Sequence, residues 1–166
     1  MTPLNLLSWS HILIVIACIA SIVFIPSAFK NGSKEAQKKL MFFIISLILI
    51  NQCMDLYREG YLDEWKLGLP LHLCDFSSFS ILIYLLTKKR DFFIFAFFFG
   101  IAGAGMSILT PDTGYGFPAV GYIQNQIGHT AIILGVTYAM AIDHQRPYLK
   151  DVARALGFAT FLLFIM

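Results

Sequence analysis

Long apolar stretches recur along the chain, and they constrain its fold more than any other feature. A membrane-spanning helix takes about 20 predominantly apolar residues. Five stretches approach or exceed that length: about Leu7 to Phe29, Leu40 to Tyr57, Leu69 to Thr87, Phe92 to Thr110 and Ile123 to Ile142. A soluble domain of 166 residues, 58% of them hydrophobic, could not bury that much apolar surface. The sequence therefore predicts an all-α, polytopic transmembrane helix bundle.

A sixth apolar run, Ala155 to Met166, is shorter than the others. Twelve residues of helix rise about 18 Å, whereas the hydrocarbon core is roughly 30 Å thick. We therefore expect five full spans plus a truncated or partial sixth, within a single transmembrane domain over residues 1–166. The first apolar stretch lacks the basic region that precedes a signal peptide, so we interpret it as a true span.

The positive charges are concentrated in three of the loops. Loops 30–39, 88–90 and 146–154 contain ten of the twelve Lys and Arg residues. Because Lys and Arg accumulate in cytoplasmic loops, this distribution predicts that these three loops are cytoplasmic and that the N-terminus is outside. The small net charge of +2 gives no indication of nucleic-acid binding.

In this orientation, polar and ionisable side chains gather near the outer boundary of the membrane. The third span opens with His72, Cys74 and Asp75. The comparable residues elsewhere are His11, Asp55, Asp112, Asn125, Gln126 and His129. Ionisable groups are costly to place in a membrane, so they indicate a functional site. Together these residues predict one outward-facing polar cavity.

The chemistry of this cavity centres on Cys74. A thiol in apolar surroundings is inert unless a base or a cation activates it. His72 and Asp75 share a helix face, whereas Cys74 points elsewhere, so its base has to come from another helix. His129 is a candidate, although the sequence does not assign which histidine pairs with Cys74. Asp55 or Asp75 could orient the imidazole, and Asn125 or Gln126 could donate to an oxyanion.

Two other interpretations use the same residues. In the first, the protein binds or transports a small solute without catalysis, with Asp55, Asp75 and the amides as ligands. In the second, His11, His72, Cys74 and His129 hold zinc or copper, but no two of them have a spacing of four residues. The sequence predicts no cofactor and no metal. Gly100–Gly105 resembles a phosphate-binding loop, but no strand precedes it. Ala96, Gly100 and Ala104 recur every four residues, so we expect them to face a neighbouring helix.

Three segments resemble a known family. They are Leu69-Pro-Leu-His-Leu-Cys74 with the following Asp-Phe-Ser, Leu109-Thr-Pro-Asp112, and Gln124-x4-His129. The chain resembles the YwaF-like bacterial integral membrane family, which is related to eukaryotic transmembrane protein 164 and more remotely similar to androgen-induced hydrolases of fatty-acid esters.

The resemblance implies a multi-pass protein of the bacterial cytoplasmic membrane that acts on phospholipid, a membrane lipid. The implied activity is acyl transfer or ester hydrolysis, with Cys74 as nucleophile and His129 as base.

If the protein is a transporter instead, a chain of this size would need to form a homo-oligomer or to associate with a partner membrane subunit. Members of the family continue into a helix with Asn-Tyr-Met and Lys-Pro segments. Because this sequence lacks both, we expect the C-terminal part of the family fold to be missing.

Overall fold

Helices account for nearly all of the regular structure in the computed structural model, which describes residues 3–58 and 73–165. The one β-bridge within those ranges joins Pro3 to Tyr115. The described part of the chain forms six helices: α1 (Trp9–Phe29), α2 (Lys34–Arg58), α3 (Leu73–Thr87), α4 (Arg90–Leu109), α5 (Val120–Ala141) and α6 (Leu149–Ile165). The predicted all-α class is therefore confirmed.

Two helices begin six residues earlier than their apolar runs predicted. Ser33 precedes α2, and its side-chain oxygen accepts a hydrogen bond from the backbone N–H of Ala36 at 3.2 Å. Before α6, the Tyr148 backbone N–H donates to Asp151 Oδ2 at 2.9 Å. Both contacts cap the first turn of a helix, which allows the helix to extend into a polar segment. Much of the predicted loops 30–39 and 146–154 is consequently helical.

Among the described residues, three helices are long and apolar enough to cross a membrane: α1, α2 and α4. The apolar helix α3 has only 15 described residues. Helix α5 has 22 residues, but polar side chains occupy its first half. With its 17 residues, α6 rises about 26 Å, which remains below the thickness of the hydrocarbon core.

Helix α5 lies at the centre of the bundle and contacts α1, α2, α3 and α4. The close approach of α3 depends on Gly135, because a β-carbon there would lie 2.6 Å from Ile81 Cγ1. Helix α1, by contrast, is almost uncovered, and its exposed apolar side chains include Leu13, Ile16 and Phe24. Such a surface suits contact with lipid.

Helix α4 contains a central π-helical segment, Ala96–Ala104, that the sequence did not predict. Ala96, Gly100 and Ala104 are all buried in it. A β-carbon on Gly100 would lie 3.1 Å from Ile132 Cγ2 on α5 and 3.5 Å from Ser77 Cβ on α3. The prediction that these small residues face neighbouring helices is confirmed.

The bundle has two chemically different ends. At one end, which we call the basic end, Lys88 Nζ lies 2.6 Å from Asp143 Oδ2, and Arg90 pairs with the fully buried Asp151. The Tyr138 hydroxyl donates to the backbone carbonyl of Gln37 at that end. The basic end therefore joins residues from all three Lys/Arg-rich segments or their flanks. The opposite end contains the polar residues of the candidate site.

Candidate functional site

Asp55 joins α2 to α5 at the end of the bundle opposite the ion pairs. Its Oδ2 atom accepts a hydrogen bond from Asn51 Nδ2 at 2.8 Å, one turn earlier on α2. Its Oδ1 atom accepts one from Gln124 Nε2 at 2.7 Å, and Gln124 is buried on α5. Hydrogen bonds to a carboxylate offset part of the cost of placing it in an apolar environment.

Gly128 makes this arrangement possible, and the sequence did not single it out. A β-carbon at Gly128 would overlap the side-chain amide of Asn51. Gly128 and Gly135 lie seven residues apart on α5, and they accommodate α2 and α3 respectively. The signal for this pair in the sequence is the spacing of two small residues by seven positions, or two helical turns.

Three side chains from other helices satisfy the C-terminal carbonyls of α4. Asn125 Nδ2 donates to the Ser107 carbonyl at 3.0 Å, and Gln126 Nε2 donates to the Ile108 carbonyl at 3.1 Å. His11 Nε2 lies 3.0 Å from the Leu109 carbonyl. The last carbonyls of a helix have no partner within the helix, and leaving them unsatisfied in hydrocarbon costs several kcal/mol, roughly, for each group. These three predicted site residues therefore cap α4.

Both ring nitrogens of His11 are occupied. Because a carbonyl only accepts, Nε2 carries the proton that is donated to Leu109. In the neutral ring Nδ1 then accepts from the Tyr122 hydroxyl, 2.8 Å away. His11 is buried, and Tyr122 packs edge-on against it. The sequence did not identify Tyr122, since a lone tyrosine on a membrane helix is unremarkable.

Cys74 lies in the first turn of α3, beside Asp75. Its side chain is half-buried and packs against a cluster of buried residues on α4 and α5 that includes Ile108, Ile132 and Ile133. The neighbouring carboxylate of Asp75 accepts a hydrogen bond from Gln52 Nε2 at 3.4 Å. Both Asp75 and Asp55 are near enough to act electrostatically on Cys74.

His129 lies on α5, one turn before Ile132 and Ile133. Its Nδ1–H donates to the Asn125 backbone carbonyl at 2.8 Å, because a carbonyl only accepts. In the neutral ring, Nε2 therefore carries the lone pair. Asp75 also acts electrostatically on His129. Within the described residues no hydrogen bond joins Cys74 to His129, although the cluster against which Cys74 packs includes Ile132 and Ile133, one turn after His129 on α5.

The remaining predicted residues lie elsewhere. His72 is outside the described residues, and Asp112 is an exposed residue of the loop between α4 and α5. Over residues 3–58 and 73–165, no three His, Cys, Asp or Glu side chains are arranged to hold a metal ion.

A separate apolar cavity of about 500 Å³ lies between α1, α2 and α5. Cys18 lines it, and its thiol donates to Gln126 Oε1 at 3.8 Å. Thr130 also lines the cavity, and its hydroxyl oxygen is buried without a hydrogen-bond partner among the described residues. Gln126 thus connects this cavity to the end of α4.

Comparison with known proteins identifies one family. The pattern of one family, the TMEM164 family, matches residues 6–166, which is nearly the whole chain. No curated protein and no solved structure matches the chain. Because of this match and its long apolar helices, the chain is a membrane protein that belongs to the TMEM164 family.

Proposed function

We propose that this protein is a thiol-dependent lipid acyltransferase or lipid-ester hydrolase, with Cys74 as nucleophile and His129 as general base. The protonation of His129 carries the proposal. Its Nδ1–H is held by the Asn125 carbonyl, so Nε2 is the nitrogen that can take a proton. A base oriented in this way, one helical turn from the cluster against which Cys74 packs, suits the activation of a thiol.

The proposed reaction has two steps. The Cys74 sulfur attacks the carbonyl carbon of a lipid ester while His129 Nε2 takes the thiol proton. The ester C–O bond breaks, and the departing alcohol receives that proton, which leaves a thioester on Cys74. Water or a second lipid alcohol then attacks the thioester, with His129 again taking the proton and returning it to the sulfur. The C–S bond of the thioester breaks in this step. Attack by water gives hydrolysis, and attack by the second lipid alcohol gives acyl transfer.

The supporting residues have separate roles in this proposal. Asp75 acts electrostatically on both Cys74 and His129, so its negative charge would balance the positive charge that His129 gains during proton transfer. Asn125 uses one amide hydrogen on the Ser107 carbonyl, and an amide has two. The second is the candidate oxyanion donor. His11 and Gln126 support the site indirectly by capping α4.

We further propose five full spans with a partial sixth, the N-terminus outside and the basic end in the cytoplasm, as in a bacterial cytoplasmic membrane. The distribution of Lys and Arg supports this orientation. It places Cys74 near the outer leaflet, where a membrane lipid would enter sideways between helices. The proposed partner is a membrane lipid. If the protein instead transported a solute, two or more copies of the chain would have to associate to form the pathway.

Labelling with an activated ester of a long-chain fatty acid tests the nucleophile. We expect wild type to form a thioester, Cys74→Ala to lose it, and His129→Ala to form it at least about tenfold more slowly, since general bases contribute roughly 10²–10⁴-fold. Cys53→Ala is the matched control, because Cys53 is exposed and would dominate labelling by accessibility alone. Labelling that follows Cys53 and survives Cys74→Ala would refute the proposal.

The alternative is a solute-binding or transport protein. The carboxylates of Asp55 and Asp75, each held by amide donors, favour it because such groups bind cationic or hydroxylated solutes. Binding of a solute that persists in Cys74→Ala but is lost in Asp75→Asn would support this second function instead.

A further inference from the structure

A groove at the basic end of the bundle has the chemistry of a phospholipid site. It has a volume of about 690 Å³ and lies between the first part of α4 and the first part of α6, and neither Cys74 nor His129 lines it. Lys89, Asp91 and Arg154 line it near the bundle end, whereas Phe95 and Phe158 line it further along the same helices. Clefts of this size commonly bind small ligands.

The cations of this region divide into two groups. Lys88 is held by Asp143, and Arg90 is held by the buried Asp151 and by Gln145. The Arg90–Asp151 pair fixes α6 against the start of α4, whereas the Lys88–Asp143 pair joins the segment between α3 and α4 to the segment that follows α5. Lys89 and Arg154 instead line the groove.

The groove cations are loosely held. Lys89 precedes α4 and is exposed. Arg154 lies 3.9 Å from Asp91, but the two side chains are 65% and 85% exposed. Exposed pairs of this kind are weak, so Arg154 can exchange Asp91 for another anion.

The groove is arranged in layers along the helix axes. Asp91 and Phe95, like Arg154 and Phe158, are four residues apart, which corresponds to about 6 Å along a helix. The Phe95 and Phe158 rings pack edge to face, with 4.9 Å between their centroids. The charged rim of the groove, which includes Asp91 and Arg154, thus lies about one turn from its aromatic part, formed by Phe95 and Phe158. A phospholipid has the same order of groups, because its charged phosphate is next to its apolar acyl chains.

We infer that this groove binds an anionic phospholipid, with its headgroup at Lys89 and Arg154 and its upper acyl carbons along Phe95 and Phe158. Basic pockets between membrane helices are suited to anionic headgroups, since each nearby cation adds to the attraction. With two cations and one carboxylate, the rim is positive overall, so it favours a lipid with net negative charge over a zwitterionic one. The inference does not depend on the proposed catalytic function.

The test measures lipid binding to purified protein in neutral detergent by native mass spectrometry, with phosphatidylglycerol and phosphatidylcholine as probes. We expect wild type to bind phosphatidylglycerol more tightly. Lys89→Gln combined with Arg154→Gln should weaken that binding roughly tenfold or more. Asp91→Asn should strengthen it, because Arg154 loses its competing partner. Thermal unfolding without lipid should be unchanged in these variants, which separates a binding defect from misfolding.

The matched control combines Lys34→Gln with Lys39→Gln, which removes the same charge from exposed positions at the start of α2. This control should keep wild-type binding to within about twofold, as expected for surface charges away from a site. Equal binding of the two lipids, an equal loss in the control, or full binding by the Lys89/Arg154 variant would overturn the inference. Glycerol phosphate should fail to compete, and competition would indicate a simple anion site instead.

Discussion

At the scale of single residues, Gly128 decides how closely α2 approaches α5. An alanine there would overlap the Asn51 amide, which holds Asp55. We predict that Gly128→Ala lowers the free energy of unfolding by about 1–3 kcal/mol, the usual cost of overpacking. This cost exceeds the gain of up to about 1 kcal/mol that alanine brings to a helix. Thermal unfolding in detergent measures the change.

Gly105→Ala is the control for this prediction. A β-carbon at Gly105 would meet nothing within 4 Å, so this variant should be as stable as wild type or slightly more stable. If the two variants had the same unfolding midpoint, α2 and α5 would not be in the close contact described above.

At the scale of the helix, the end of α4 depends on side chains from its neighbours. We predict that His11→Phe, which keeps a ring of similar size, destabilises the protein by about 1–3 kcal/mol. The reason is that the Leu109 carbonyl and the Tyr122 hydroxyl both lose their partner. Chemical unfolding in mixed micelles measures the loss.

The neighbouring variant Ser10→Ala provides the comparison, because Ser10 is exposed and, within the described residues, its side chain hydrogen-bonds only to that of Ser8. Its stability should match that of wild type. Should His11→Phe be equally harmless, the C-terminal carbonyls of α4 would have to be satisfied by other groups, and the capping role of His11 would be excluded.

At the scale of the whole molecule, the proposed orientation can be tested with single cysteines in a cysteine-free background. Tyr115 lies exposed between α4 and α5, and Asn31 lies exposed between α1 and α2. We predict that a membrane-impermeant thiol reagent modifies Tyr115→Cys in intact cells but modifies Asn31→Cys only after permeabilisation. The opposite pattern would place the basic end outside and would reject the outward position of Cys74.

Much of the fold could be predicted from composition along the chain. Apolar length predicted the helices, and the small residues of α4 predicted its close packing. The pairing of side chains could not be predicted, because it depends on the rotation of each helix about its axis. His11, Asn125 and Gln126 were correctly grouped at one end, yet their partners are backbone carbonyls of α4. Only three-dimensional packing brings those carbonyls within reach.

The π-helical segment of α4 also explains how a repeat of four residues can stay buried. Ala96, Gly100, Ala104 and Ile108 are all buried, and each follows the previous one by four positions. On an α-helix with 3.6 residues per turn, such a repeat would wind around the axis by about 40° at each step. A π-helix has more residues per turn, which reduces this rotation about the axis, so the four side chains lie on nearly the same face of α4. If this segment became an ordinary α-helix, either Ala96 or Ile108 would rotate away from the interior of the bundle.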